Sequence, residues 1–252
     1  MSSLYMVSSA LSLREFRRWC AGRGFAIDEG RALHHLLSES FGKSALKPFR
    51  LMTAPGGRSA TLYAYTQIDE SQLRQVAKEA GMPDALAIIN PDRVAVKPMP
   101  AVWREGRSFA FDVRVRPVRR LLKPLEGWSR TTNKGATMAF RKGAEVDAYI
   151  VDALRSFPDG QPAPEAQLSR EAVYRAWIIN RLGSAGRIES ARMVRFQRSK
   201  VQRGSVVEGP DVTFHGELTV LDGAAFARTL ATGIGRHSSY GYGMLLLRPA
   251  RR

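Results

Sequence analysis

Asp28-Glu29-Gly30-Arg31-Ala32-Leu33-His34-His35-Leu36-Leu37-Ser38-Glu39-Ser40-Phe41-Gly42 is the stretch on which the fold turns. Asp28 offers an N-cap, Glu29 an acid in the first turn, and Gly42 a stop. At 100° per residue, Leu33, Leu36, Leu37 and Ser40 share one face, with Phe41 at its edge. Arg31, His34, His35 and Ser38 fall on the opposite face. The segment is thus an amphipathic helix with its histidines turned away from the apolar stripe. Upstream, Leu4 to Ser8 reads as a short buried strand. Downstream, Phe49 to Met52 and Leu62 to Tyr65 read as strands joined by a turn at Gly56 and Gly57. Asp69 then caps a helix of Leu73, Val76, Ala77 and Ala80, stopped by Gly81 and Pro83, and Val94 to Val96 gives a further strand. The order is strand, helix, strand, strand, helix, strand, which is that of a ferredoxin-like unit.

The remainder repeats this order more loosely. Phe109, Phe111, Val113 and Val115 alternate with Ala110, Asp112, Arg114 and Arg116, which predicts a half-buried strand with a basic outer edge. Ser169 opens a helix running to about Leu182. Met193 to Val201 is a strand rich in cations. Val212, Phe214, Leu218 and Val220 mark another. Asp222 caps a helix through Leu230, and a last apolar strand follows at Met244 to Leu247. The expected architecture is α+β: two tandem ferredoxin-like, RRM-like βαββαβ units, spanning residues 1–101 and 107–252. Arg119 to Gly143 and Phe157 to Gln167 read as mobile connections.

Between the last helix and last strand runs Gly233-Ile234-Gly235-Arg236-His237-Ser238-Ser239-Tyr240-Gly241-Tyr242-Gly243. Glycine lets backbone approach a bulky ligand and aim successive N–H groups at an anion. Arginine and hydroxyls add phosphate donors, and tyrosine stacks on bases. The 252-residue chain carries 39 Lys and Arg against 23 Asp and Glu, a net charge of +16. Such an excess favours polyanions through counterion release. Arg187, Arg192, Arg195, Arg198, Lys200 and Arg203 lie along one strand region, with Arg114, Arg116, Arg119, Arg120 and Lys123 as a possible extension. The alternative for this cluster is a solvated edge strand whose cations deter aggregation.

Several chemistries are excluded or unsupported. Cys20 is the single cysteine, so there is neither an internal disulfide nor a cysteine zinc cage. No apolar run nears the ~20 residues that span a bilayer. The opening residues show no secretory pattern, so a cytoplasmic protein is expected. The glycine loop lacks the Gly-Lys-Ser/Thr ending of a P-loop and the spacing of a dinucleotide fingerprint. Adjacent His34-His35 is not a zinc-protease pair, and no nucleophile elbow is present. Tyr63 and Tyr65 share a strand face that suits base stacking or packing between units. His34 near Arg31 in a basic protein suits a neutral imidazole acting as general base.

The glycine loop with Met244-Leu245-Leu246-Leu247 resembles the glycine-rich signature of CRISPR repeat-associated RNA-binding proteins, and more narrowly that of the CasE endoribonucleases of type I-E systems. Arg31-Ala32-Leu33-His34, Lys43 to Met52, Lys97 to Trp103, Phe111 to Pro117 and Arg170 to Trp177 agree, so the resemblance covers nearly the whole chain. It implies tandem ferredoxin-like domains that bind the hairpin of a CRISPR repeat transcript. It implies cleavage at the stem base without a metal or other cofactor, and retention of the guide RNA for assembly with other Cascade subunits. His34 matches the family's catalytic histidine on the first helix. Arg31 stands where the family has a tyrosine three residues earlier, and is expected to neutralise charge at the scissile phosphate. His35 and His237 are lesser candidates for proton transfer. RNA contact is expected from Arg114, Arg116, Arg192, Arg195, Arg198, Lys200 and Arg203. Within the loop it is expected from Gly233, Gly235, Arg236, His237, Ser238, Ser239, Tyr240 and Gly241. The rival readings are a non-catalytic RNA scaffold and a basic duplex-DNA binder.

Overall fold

In the computed structural model, which describes residues 3–25, 28–54, 56–129, 136–160, 167–203 and 205–250, the opening helix forms where its caps place it. Strand β1 (Tyr5–Ser12) leads into helix α1 (Leu13–Gly22), and helix α2 follows at Glu29–Phe41. Asp28 accepts the Arg31 backbone N–H at 2.9 Å, and Gly42 closes α2 at φ 88°. Strands β2 (Phe49–Thr53) and β3 (Ser59–Thr66), helices α3 (Glu70–Ala80) and α4 (Pro83–Leu86), and strand β4 (Ala95–Pro98) complete the first half. Its sheet runs β2-β3-β1-β4, with antiparallel neighbours. Val7, Leu11, Phe49, Leu51, Leu62 and Ala64 pack against Leu33, Leu36, Phe41 and Leu73 of the helices to form one core. Helix α1 was not expected from the sequence. Ser12 caps it by accepting from the Glu15 backbone N–H.

The second half starts with β5 (Ser108–Val115). The stretch expected to be mobile, Arg119 to Gly143, and the residues flanking it instead carry strands among the described residues. These are β6 (Val118–Arg120), β7 (Leu125–Ser129), β8 (Ala136–Phe140) and β9 (Glu145–Asp147), followed by α5 (Ala148–Ser156). Strands β7 and β8 pair as a hairpin, and β6 pairs with β9. Leu121, Val146, Ile150, Val151 and Leu154 form a small core of their own, which explains the order. Residues 130–135 of this stretch and residues 161–166 of the other expected mobile stretch lie outside the described residues.

Helix α6 (Arg170–Leu182), strands β10 (Gly186–Arg203) and β11 (Ser205–Val220), helix α7 (Gly223–Thr232) and strand β12 (Leu245–Pro249) complete the chain. The sheet order β10-β11-β5-β12 repeats that of the first sheet. Both have the strand arrangement of a ferredoxin-like unit, so the fold class read from the sequence holds. Strands β10 and β11 are longer than the alternation suggested. Register shifts between Ile188 and Ser190, and between Met193 and Arg195, break the two-residue period there.

The second core gathers Phe111, Val113, Val212, Phe214, Tyr174 and Trp177, and it also includes Tyr65 from β3. Tyr65 is fully buried and its hydroxyl donates to the Leu245 carbonyl at 2.9 Å. Arg50 of β2 sits 3.4 Å from Asp112 of β5. These residues alternate with the helix-covered ones on their strands, so the helix-free faces of the two sheets meet. Of the two roles read for the tyrosine face, Tyr65 takes the packing one. Among the described residues, no helix is long and apolar enough to cross a membrane.

Candidate functional site

The first turn of α2 and the glycine loop are built against each other. A Cβ on Gly30 would lie 2.4 Å from the Tyr240 carbonyl oxygen, so the helix can seat there only with glycine. Tyr240 ends a single turn of 3-10 helix at Ser238–Tyr240. His237 before it (φ 73°) and Gly241 after it (φ 80°) are both left-handed. The loop is pinned at its base: Ile234 N–H donates to Gly243 O at 2.8 Å, and Gly243 N–H donates to Arg114 O at 2.7 Å. Gly235 (φ 81°) lies over Trp177, where a Cβ would approach Cη2 to 2.4 Å.

This geometry brings the Tyr240 ring to 5.3 Å from the His34 ring. His35 meets His34 edge-on at 5.7 Å, and His35 stacks on Phe25 at 4.7 Å. Burial holds the His34 imidazole below its ordinary pKa, and His35, Lys43 and Lys47 push the same way by charge. These surroundings favour the neutral form of the His34 imidazole. The Arg31 guanidinium lies 5.3 Å over the Phe25 ring.

Beside Tyr240 opens a cavity of about 650 Å³ between the two halves. Its walls include Glu29 and Gly30 of α2, Arg50 of β2, Arg114 of β5, and Arg195, Arg198 and Lys200 of β10, with Tyr240 and Tyr242 from the loop. The cavity reaches Tyr240 and stops short of His34. Burial pulls the pKa of the Arg50 guanidinium down from its usual value, against the opposing pull of Asp112.

The expected RNA contacts divide into two groups. Arg192, Arg195, Arg198 and Lys200 are exposed along β10. Arg195 donates to Gln197, and Arg198 is ion-paired with Glu208. Arg114 and Arg116 are committed internally and correct the expectation of a free basic edge. Arg114 binds Asp211 through two bonds, at 2.8 and 2.6 Å, and lies 4.7 Å over Tyr242. Arg116 is 3% exposed and donates to the Ser199 hydroxyl and carbonyl. Each had an unforeseen partner on a distant strand, so alternation gave its face but not its freedom. In the loop, Arg236 and His237 both bind Glu145 of β9, at 2.9 and 3.1 Å, so these side chains anchor the loop. His237 is buried, while Ser238, Ser239 and Tyr240 are half-exposed, as are Gly233 and Gly235; Gly241 is buried. Arg203 ends β10, and its side chain lies outside what is described.

Arg50, Tyr242 and Glu145 had no signal as site residues in the sequence, since each gains its setting from an element far along the chain. Among the described residues, no three His, Cys, Asp or Glu side chains are grouped as metal ligands.

A family model described as CRISPR associated protein matches residues 4–249. No curated protein matches the chain. Among solved structures, Thermus thermophilus Cse3, bound to an RNA representing a pre-cleavage complex, is 19% identical, with a TM-score of 0.61; the match covers 98% of this chain and 100% of that one. Cas6e from Escherichia coli K-12 is 20% identical with a TM-score of 0.55, again over 98% and 100% of the two chains. A chain of a CRISPR RNA-guided surveillance complex is 15% identical with a TM-score of 0.51, over the same shares. These likenesses establish a shared fold, and the match over residues 4–249 establishes descent: this chain belongs to the CRISPR-associated protein family to which its glycine loop and first helix point.

Proposed function

We propose that this chain is a metal-independent endoribonuclease that binds the hairpin of a CRISPR repeat transcript and cuts at the base of its stem. One observation carries the reading: a half-buried imidazole, His34, whose surroundings favour its neutral form, stands beside Tyr240 at the edge of a cavity whose walls carry Arg50, Arg195, Arg198 and Lys200 as well as Glu29. It is supported by the family and by the fold shared with Cse3, which has been solved on RNA.

RNA brings its own nucleophile. The 2′-oxygen forms a bond to phosphorus as the P–O5′ bond breaks, leaving a 2′,3′-cyclic phosphate and a 5′-hydroxyl. The 2′-OH proton is lost and O5′ gains one; His34 serves one of these transfers, as base or acid. Holding the backbone in line supplies effective molarity, and the cationic wall supplies charge stabilisation. Arg31, one turn before His34 on α2, neutralises charge at the scissile phosphate.

The labour divides by unit. Residues 1–101 supply His34. Residues 107–252 supply the hairpin contacts, from Arg192, Arg195, Arg198, Lys200 and Arg203, and the loop wall from Gly233 to Gly241. The cut guide stays bound and enters a Cascade-type complex with other subunits, in the cytoplasm where transcripts are made. The test is incubation with repeat RNA in EDTA. Cutting by the wild type, loss of cutting with retained binding in His34→Ala, and block by a single 2′-deoxy at the cut support it. Binding without any cutting by the wild type identifies the scaffold instead, and equal affinity for DNA of the same sequence removes the RNA reading.

A further inference from the structure

We infer that Tyr240 is the positioning residue for His34: its ring, held by the glycine loop, fixes the imidazole at the edge of the cation-lined cavity. The inference rests on the nuclease reading above and adds the residue that aims its proton-transfer group.

Three independent features converge on Tyr240. Its ring is 5.3 Å from that of His34, tilted by 37°. Its backbone is seated on α2 itself, against Gly30, one turn before His34. Its own turn is clamped between two left-handed residues, His237 and Gly241, and His237 is tied to Glu145 while Gly241 abuts the Phe49 ring. Such a conformation at His237 is costly for a residue with a Cβ and persists only where the surroundings enforce it. The loop thus holds one aromatic side chain rigidly against one face of the His34 ring. His35 meets the same ring edge-on, so His34 has two aromatic neighbours. Tyr240 also lines the cavity that His34 does not reach. Its ring therefore adjoins both the imidazole and the cavity, and aims the imidazole at the cavity's edge.

The same packing accounts for the environment of His34. Burial is the largest influence lowering its proton affinity, ahead of His35, Lys43 and Lys47, and the Tyr240 ring is part of that burial. Removing the ring admits water and moves the His34 titration up toward its ordinary value. A residue that merely stacks on a base would leave that titration unchanged in the RNA-free protein.

The test compares Tyr240→Ala, Tyr240→Phe and Gly30→Ala in the full chain. Three quantities are read: single-turnover cleavage at saturating protein, affinity for a repeat hairpin with a 2′-deoxy at the cut, and the His34 titration by NMR without RNA. Tyr240→Ala is expected to slow cleavage on the order of 10- to 100-fold. Because the rate is read at saturating protein, a weaker grip of the loop on the hairpin does not enter it; the His34 titration is expected to move upward, and Tyr240→Phe restores both rate and titration because it keeps the ring. Gly30→Ala retains both rings but pushes their backbones apart, and is expected to slow cleavage as well. The inference is overturned if Tyr240→Ala cuts like wild type. It also falls if the His34 titration in Tyr240→Ala stays where it is in the wild type, or if Tyr240→Phe behaves like Tyr240→Ala. Should Tyr240→Ala not fold, wild-type cleavage by Gly30→Ala overturns it alone. A wild type that never cuts refutes the nuclease reading separately, while the NMR titration still judges the ring contact.

Discussion

Arg50 of the first sheet lies 3.4 Å from Asp112 of the second, and the two residues are 8% and 2% exposed. Asp112 also takes the His215 ring at 2.7 Å. The cation and carboxylate join the two halves from buried positions. Substituting Arg50→Ala strands a buried carboxylate with only His215 beside it. The expected cost is about 3 kcal/mol or more, the scale for breaking a buried pair from one side. Urea unfolding measures it, and an unchanged midpoint would show the pair to be dispensable.

Lys43 and Lys47 both disfavour the imidazolium of His34. Replacing them with methionine removes two positive charges, so the His34 pKa is expected to rise. The half-rise of a base-dependent cleavage rate moves to higher pH with it. The linkage sign follows from the depressed pKa. The His34 contribution to stability is complete above the unfolded value of about 6.5. It is lost as pH falls toward the folded value, because the unfolded chain binds the proton first. NMR titration of the double variant checks the shift; added salt moves the wild type in the same direction, since both lysines are exposed.

Arg195 and Lys200 differ from Arg116 in what they are free to do. Arg195→Ala and Lys200→Ala are each expected to weaken hairpin binding and reduce the salt slope by about 1, with stability unchanged. Arg116→Ala is expected to cost about 1–3 kcal/mol of stability, since Ser199 loses a buried donor. Anisotropy titrations across a KCl series, set beside thermal unfolding, separate the two behaviours.

Gly235 has no room for a methyl group. Its φ of 81° disfavours a side chain, and a Cβ would meet Trp177, whose indole N–H is itself tied to the Val118 carbonyl at 3.1 Å. Gly235→Ala is expected to lower stability by about 2–4 kcal/mol, combining left-handed strain with overpacking. A fall in melting temperature with altered Trp fluorescence checks it.

The sequence spelled out elements whose signals are local. Asp28 and Gly42 bound α2, Ser169 and Asp222 cap α6 and α7, and the helical period turns His34 off the apolar stripe. Helix α1 was equally legible in Ser12-Leu13-Arg14-Glu15, a capping box ahead of buried Phe16, Trp19 and Cys20, and was overlooked. The extent of β10 was hidden because its bulges change which face each residue takes. The pairing of His34 with Tyr240 was beyond reach, since about two hundred residues separate them and only the seating of Gly30 brings them together. Arg114 and Arg116 show the converse error, in which a basic alternation was read without knowing that Asp211 and Ser199 would arrive opposite.

The bond from Tyr65 to Leu245 has a consequence for biosynthesis. The first sheet is complete at Pro98, but the carbonyl that Tyr65 needs belongs to a strand emerging about 150 residues later. At ordinary translation rates that interval is on the order of ten seconds. During it the nascent first half displays an unburied tyrosine and the unpaired Arg50 on one face. The contact between the two sheets is therefore completed only when the last strand has been made.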